Sequence, residues 1–255
     1  MNRDLWTQRL TEFYCPPLPC PTCGKGVFAL VPKSLVYQET AKSRSEHHNE
    51  DWWFGDTDYR FTARLKCGNS SCGDEAVILG NGGLEEHNYQ NGSIQVQYFT
   101  PKFCLPMPDI IAIPPKCPPM VASELRASFT LFWPDSNAAA NRIRAAVERM
   151  MDHFRIPLRR RNTKRKLYRL SLDERLTLFV KTDKTLSDRL MAIKWFGNTG
   201  SHERDLTRDE VLNALDILED TLVDLFEKRT HRLAALTRTL MKRHAPRKKK
   251  NVVKP

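Results

Sequence analysis

The sequence predicts an α+β protein, in which a small β module held together by four cysteines precedes an all-α bundle. Three observations carry this. Cysteines pair in two short knuckles among strand-like runs before residue 120. Apolar residues recur at helical spacing after it. Between them, Pro101 to Pro119 holds seven prolines, a density that disfavours helix and reads as an extended connector. The predicted divisions are residues 1–119, 120–236 and a basic tail, 237–255.

The elements follow in order. Gly26–Val31, Tyr59–Leu65, Ala76–Gly80 and Ile94–Phe99 are short apolar runs of strand type. The polar stretch Thr40–Asp58 reads as an insertion loop or hairpin. Ser123 is placed to cap a helix ending near Trp133–Pro134, and Asp135 or Ser136 opens the next, with Ile143, Val147, Met150, Met151 and Phe154 on one face. Ser171 with Glu174, and Thr207 with Glu210, are capping-box pairs that start two more helices. Leu186, Leu190, Ile193 and Gly197 form one stripe between them. Val211, Leu215, Leu218, Leu222 and Leu225 stripe the longest helix, with Asp216, Glu219, Asp220 and Asp224 outside.

A chain of 255 residues suits two modest domains, each with its own core. No apolar run reaches the ~18 residues of a membrane span. The N-terminal stretch MNRDLWTQRLTEFY lacks the apolar segment of a secretion signal and reads as a short amphipathic helix. A cytoplasmic, reducing location is therefore expected, where seven cysteines favour metal over disulfides.

CPTCG at Cys20–Gly24 and CGNSSCG at Cys67–Gly73 are two metal-binding knuckles. Each turn sets two thiolates on one side, and the glycines after Cys23, Cys67 and Cys72 relieve the backbone where amides face sulfur. Strand pairing would join Cys20, Cys23, Cys67 and Cys72 into a Cys₄ zinc ribbon. Four thiolates leave no open position, so the zinc is expected to be structural. Cys15 is the rival ligand nearby, whereas Cys104 and Cys117 read as small buried residues.

The net charge of +11 is unevenly spread, seven of its basic residues lying between Lys242 and Pro255 with no acid among them. A second run, Arg159, Arg160, Arg161, Lys164, Arg165 and Lys166, interrupts the helical half. These clusters, with Lys248, Lys249 and Lys250, are an electrostatic footprint for nucleic acid, or else solvated surface that aids solubility. The tail has no aromatic residue to stack on bases, which argues against sequence-specific recognition by it. Trp52, Trp53, Phe54 and Tyr59, near Lys66, read either as a stacking platform or as the core of the small sheet.

The stretch Arg189–Glu203, RLMAIKWFGNTGSHE, places Asn198 and His202 on one face if it is helical. Gly197 and Gly200 disfavour helix and so ask for a reason such as close packing. Arg144 and Glu148 have the same i, i+4 spacing on the earlier helix. Two packed helices could therefore gather Arg144, Glu148, Asn198 and His202.

NAAANRIRAAVERMM, LSDRLMAIKWFGNTGSHE and LTRDEVLNALDILEDTLVDLF, with the lead-in PDIIAIPPKCPP and the CPTCG knuckle, resemble the domain-of-unknown-function family 4145 over residues 100–230. The resemblance implies a bundle related to the HEPN superfamily of nucleotide-binding domains, a bacterial defence (restriction-like) setting, and pairing into homodimers through the bundle. Many HEPN proteins are metal-independent ribonucleases that use an Arg followed a few residues later by a His. Here the window before His202 holds Trp195, Phe196 and Gly197, and the nearest basic residues upstream are Lys194 and Arg189. A catalytic His202 would need Arg144 from across the bundle. Its alternative is a structural histidine.

Three functions are thus open: a zinc-containing nucleic-acid-associated binding or assembly module, a metal-independent RNA endonuclease using His202 with Asn198, Arg144 or Lys194, or a structural adaptor. No membrane partner is expected.

Overall fold

The computed structural model describes residues 1–89, 92–179, 184–202, 205–227 and 229–244, with the side chains at 89, 199–202 and 229–231 excepted. It has an N-terminal antiparallel sheet and a C-terminal helical region, which is the mixed α+β class expected.

A short helix, α1 (Asp4–Thr7), leads into the sheet. Its strands are β1 (Phe28–Leu30), β2 (Val36–Glu39), β3 (Tyr59–Cys67), β4 (Glu75–Tyr89) and β5 (Gly92–Leu105), with helix α2 (Ala41–Glu46) between β2 and β3. β3 is central, pairing β1 and β2 along one side and β4 along the other, and β5 closes the β4 side. Strict alternation in β3 buries Phe61, Ala63, Leu65 and Cys67 and exposes Arg60, Thr62, Arg64 and Lys66.

Four expectations for this half are corrected. β4 and β5 run far beyond the apolar runs that predicted them, because their mutual pairing extends out to Tyr89↔Gly92. Pro101 lies inside β5 and not in a connector. The strand is an edge of the sheet, and Pro101 sits opposite Gly80 where the register shifts, so its missing N–H breaks no ladder that a central strand would need. Only Pro106 to Pro118 forms the irregular connector, and Pro119 begins a helix. Thr40–Asp58 is not a plain loop: Thr40 caps α2 through Ser43 N–H, and Phe54–Asp56 makes a 3-10 turn.

The helical region comprises α3 (Pro119–Leu131), α4 (Ser136–His153), the hairpin β6 (Arg159–Arg161) and β7 (Leu167–Arg169), α5 (Leu172–Phe179), α6 (Lys184–His202), α7 (Arg208–Glu227) and α8 (Arg229–His244). Ser123 falls within α3, whose N-cap is Pro118, so the helix starts earlier than expected and on proline's preset φ. Asp135 caps α4, its Oδ1 accepting from Ala138 N–H at 2.8 Å. Both capping boxes form: Ser171 N–H and Thr207 N–H donate to Glu174 and Glu210 at 2.8 and 2.9 Å. The expected stripes of α4 and α7 are buried, apart from half-buried Phe154 and Leu225.

One continuous core joins the two regions. Trp6 packs against Trp133 at 6.1 Å between ring centres, and Trp133 Nε1–H donates to the Trp6 carbonyl. Leu10 pairs with Phe99 of β5 through reciprocal backbone bonds of 2.8 Å. The N-terminal segment thereby ties sheet to bundle.

Candidate metal centre and a cleft beside a basic hairpin

The first knuckle turns at Gly24, whose φ of +61° only glycine adopts without strain. Gly24 N–H closes it onto the Cys20 carbonyl, and Gly26 N–H points at Cys23 Sγ, 3.3 Å away. The second closes through Cys72 and Gly73 N–H onto the Asn69 carbonyl, with Gly73 again at +61°. β1–β3 pairing sets Phe28 opposite Cys67 and so brings the knuckles face to face. Gly26 is required there, since a Cβ would stand 2.4 Å from Cys67 Sγ.

All four sulfurs lie within 4.8 Å of one another. Cys20–Cys72 and Cys23–Cys67 are separated by 3.9 and 3.7 Å. A tetrahedron with metal–sulfur bonds of ~2.3 Å has edges of ~3.8 Å, so the cluster has the dimensions of a structural metal site. The amides of Lys25 and Gly26 pull the Cys23 thiol down to about 6. At Cys67 the Asn69 amide favours the thiolate, but burial and the three neighbouring sulfurs push the group up to about 12. A metal ion would resolve that crowding by taking all four as thiolates. Cys15 stands outside the cluster, and burial raises it to about 12. Cys104 and Cys117 are buried, as expected, and their thiols are raised to about 12 and about 11.

In the helical region α6 continues through Gly197. A Cβ at Gly197 would lie 2.8 Å from Arg144 Cβ and 3.4 Å from the Ala140 carbonyl oxygen, so this glycine admits α4 to close contact. Arg144 pairs with Glu148 at 3.6 Å. Asn198, half-buried, follows the contact point. The side chain of His202 lies outside the described residues.

Arg144 and Glu148 open onto a cleft of about 310 Å³ shared with Leu158, Arg169, the N-terminus of α5 and Arg175. Arg175 is 3% exposed and donates through Nη2 to Asp152 and to the Ile156 carbonyl, at 2.7 and 3.0 Å. Among the described residues three buried side-chain nitrogens lack a partner: Trp52 Nε1, Arg144 Nε and Arg175 Nε. Two of the three belong to this cleft. Its own charges nearly balance, with Glu148, Glu174 and Asp152 against the three arginines.

The cationic excess comes from the adjoining hairpin, which the sequence had placed among helices. Its turn is fixed by Asn162, whose N–H and side-chain oxygen both bond Lys166, and by Arg165 at φ +58°. Arg159, Arg160, Arg161, Lys164, Arg165 and Lys166 are all exposed. Register places Arg159 opposite Arg169 of the cleft and Arg160 opposite the partly exposed Tyr168. Lys248, Lys249 and Lys250 lie outside the described residues. Arg169 and Arg175 were missed from sequence, although Arg175 had a signal: it interrupts the apolar stripe Leu172, Leu176, Phe179.

Neither reading of the aromatic group holds. Trp52, Phe54 and Tyr59 are half-buried and Trp53 is exposed, so they are not the sheet's core. Trp52 packs on His47, Trp53 on Phe54 and Tyr59 on Tyr37, in separate pairs and not as one platform.

Residues 126–250 match the family model of the domain of unknown function DUF4145. Residues 8–104 match that of the domain of unknown function DUF8608. No curated protein and no solved structure matches the chain. Among the described residues no helix is long and apolar enough to cross a membrane.

Proposed function

We propose that this chain is a zinc-stapled nucleic-acid-binding module, in which Cys20, Cys23, Cys67 and Cys72 hold a structural zinc and the hairpin with its cleft grips phosphates. The single observation behind the binding role is the hairpin itself. Six exposed cations on a turn held by four-residue hydrogen bonds stand beside a cleft with two orphaned guanidinium N–H groups. Phosphate contacts of this kind bind backbone without reading sequence. One side-lying tyrosine, Tyr168, is the only ring the hairpin offers for stacking. Four thiolates at tetrahedral spacing suit zinc or iron, and the two short knuckles have the spacing of structural zinc sites. The defence setting and an assembly role rest on the family resemblance.

The test is binding of labelled single-stranded RNA and DNA over a salt series. Affinity should fall steeply as salt rises. Absence of binding, or affinity indifferent to salt, would overturn the reading.

A second reading, metal-independent RNA cleavage, is supported by one observation: Arg144, which lines the cleft with Glu148, is also the residue against which Gly197 of α6 packs, and α6 carries Asn198 and His202. There Arg144 would hold the phosphate and His202 would move the 2′-hydroxyl proton. Cleavage that persists unchanged in His202→Ala would eliminate it.

A further inference from the structure

From Arg232 to His244 every residue of α8 is exposed, apolar and charged alike. Leu233, Leu236, Leu240 and Met241 are between 50% and 63% exposed. At ~100° per residue the three leucines fall within one narrow arc of the helix, and Met241 widens it to ~140°. Arg232 and Arg243 border that stripe, while Arg238 and Lys242 stand on the far side. The charge is as one-sided as the apolar surface. Residues 228–255 hold 11 Lys and Arg and no acid, which is the chain's whole formal excess of +11. The other 30 of its 41 cations are balanced by its 30 acids.

We infer that α8 lies flat in the interface of an anionic lipid bilayer. Its leucine stripe enters the acyl boundary, and its cations, with those of residues 245–255, meet the headgroups. The two halves of the argument exclude different partners. Nucleic acid would take the cations, but it would leave four apolar side chains in water, and residues 228–255 contain no Phe, Tyr or Trp to stack on bases. An apolar groove would take the leucines, but a few fixed acids would meet only part of a charge spread over helix and tail. A plane of negative headgroups takes both. Arg232 and Arg243 are placed at the border where long cationic side chains reach up to headgroups while their stems stay in the apolar layer. The lack of a spanning run, from which no membrane partner is expected, does not bear on a helix that lies in the surface.

The inference is independent of phosphate binding by the hairpin, and its test separates leucines from charge. The full chain is sedimented with vesicles of equimolar phosphatidylglycerol and phosphatidylcholine, and with vesicles of phosphatidylcholine alone. It should partition onto the first and not the second. Leu236→Ala with Leu240→Ala keeps every charge and suits a helix, so circular dichroism should be unchanged while partition onto the anionic vesicles falls by about tenfold. A wild type that stays in solution with anionic vesicles would overturn the inference, whether or not residues 228–255 bind RNA. Undiminished binding by the double variant would overturn it too, since charge alone would then account for the attraction. So would equal binding to the neutral vesicles.

Discussion

Gly197 and Glu174 show how single residues set the cleft. At Gly197 two effects oppose. Replacing glycine by alanine within a helix gains up to ~1 kcal/mol of propensity. The added methyl would stand 2.8 Å from Arg144 Cβ, the stiff root of a side chain, and overpacking of that kind costs ~1–3 kcal/mol. We expect Gly197→Ala to be destabilised by about 1 kcal/mol in urea denaturation. An alanine variant as stable as wild type would show that α4 and α6 are not in contact there. At Glu174, hydrogen bonds from the Ser171 amide and hydroxyl hold the carboxyl below its usual range. The depressed value means that its contribution is present above the unfolded pKa of ~4.3 and is lost as pH falls through the folded value. Ser171→Ala should therefore be less stable than wild type at neutral pH and narrow its deficit in acid, which denaturation at two pH values checks.

At the scale of elements, legibility follows from whether a local rule decides the structure. Helices α4, α5 and α7 were readable because Asp135, Ser171–Glu174 and Thr207–Glu210 are start signals with a local mechanism, followed by 3.6-residue periodicity. The pairing of the cysteine knuckles was readable from spacing and glycines. The hairpin β6–β7 was not: Arg159–Arg161 and Leu167–Arg169 have neither alternation nor β-branched residues, and the hairpin is held by its Asn162 turn. β2 was hidden in the same way, because Val36–Glu39 is exposed or half-buried and is defined only by its partner β3. The cleft needed three dimensions altogether. Arg144, Arg169 and Arg175 come from three separate elements, and only the buried place of Arg175 on the α5 stripe pointed to it. The same element-scale reasoning predicts that Arg175→Leu, which leaves Asp152 without its 2.7 Å partner, destabilises the bundle although it adds apolar volume.

Across the whole molecule the core is undivided. Trp6 reaches Trp133, Leu10 reaches Phe99, and Arg3 Nε–H donates to Asp216 of α7 at 2.8 Å. The proposed zinc is therefore a staple whose loss is felt beyond the sheet. Binding energy at such a site is folding energy. Stripping the metal with a chelator, or Cys67→Ser, should lower the melting temperature of the chain in one cooperative transition seen by both near-ultraviolet and far-ultraviolet circular dichroism. A folded wild-type chain with no zinc by elemental analysis would refute the staple.

In the proposed function the labour divides between a sheet stapled by zinc, a bundle carrying the cleft, and a hairpin supplying charge. In that function the hairpin and cleft touch phosphates, which the slope of log affinity against log salt for single-stranded RNA counts. Each phosphate contact contributes about 0.7 to that slope. Replacing Arg159, Arg160 and Lys164 by glutamine, all exposed and away from the bonds that hold the turn, should weaken binding and flatten the slope by about 2. An unchanged slope in the triple variant would contradict the account.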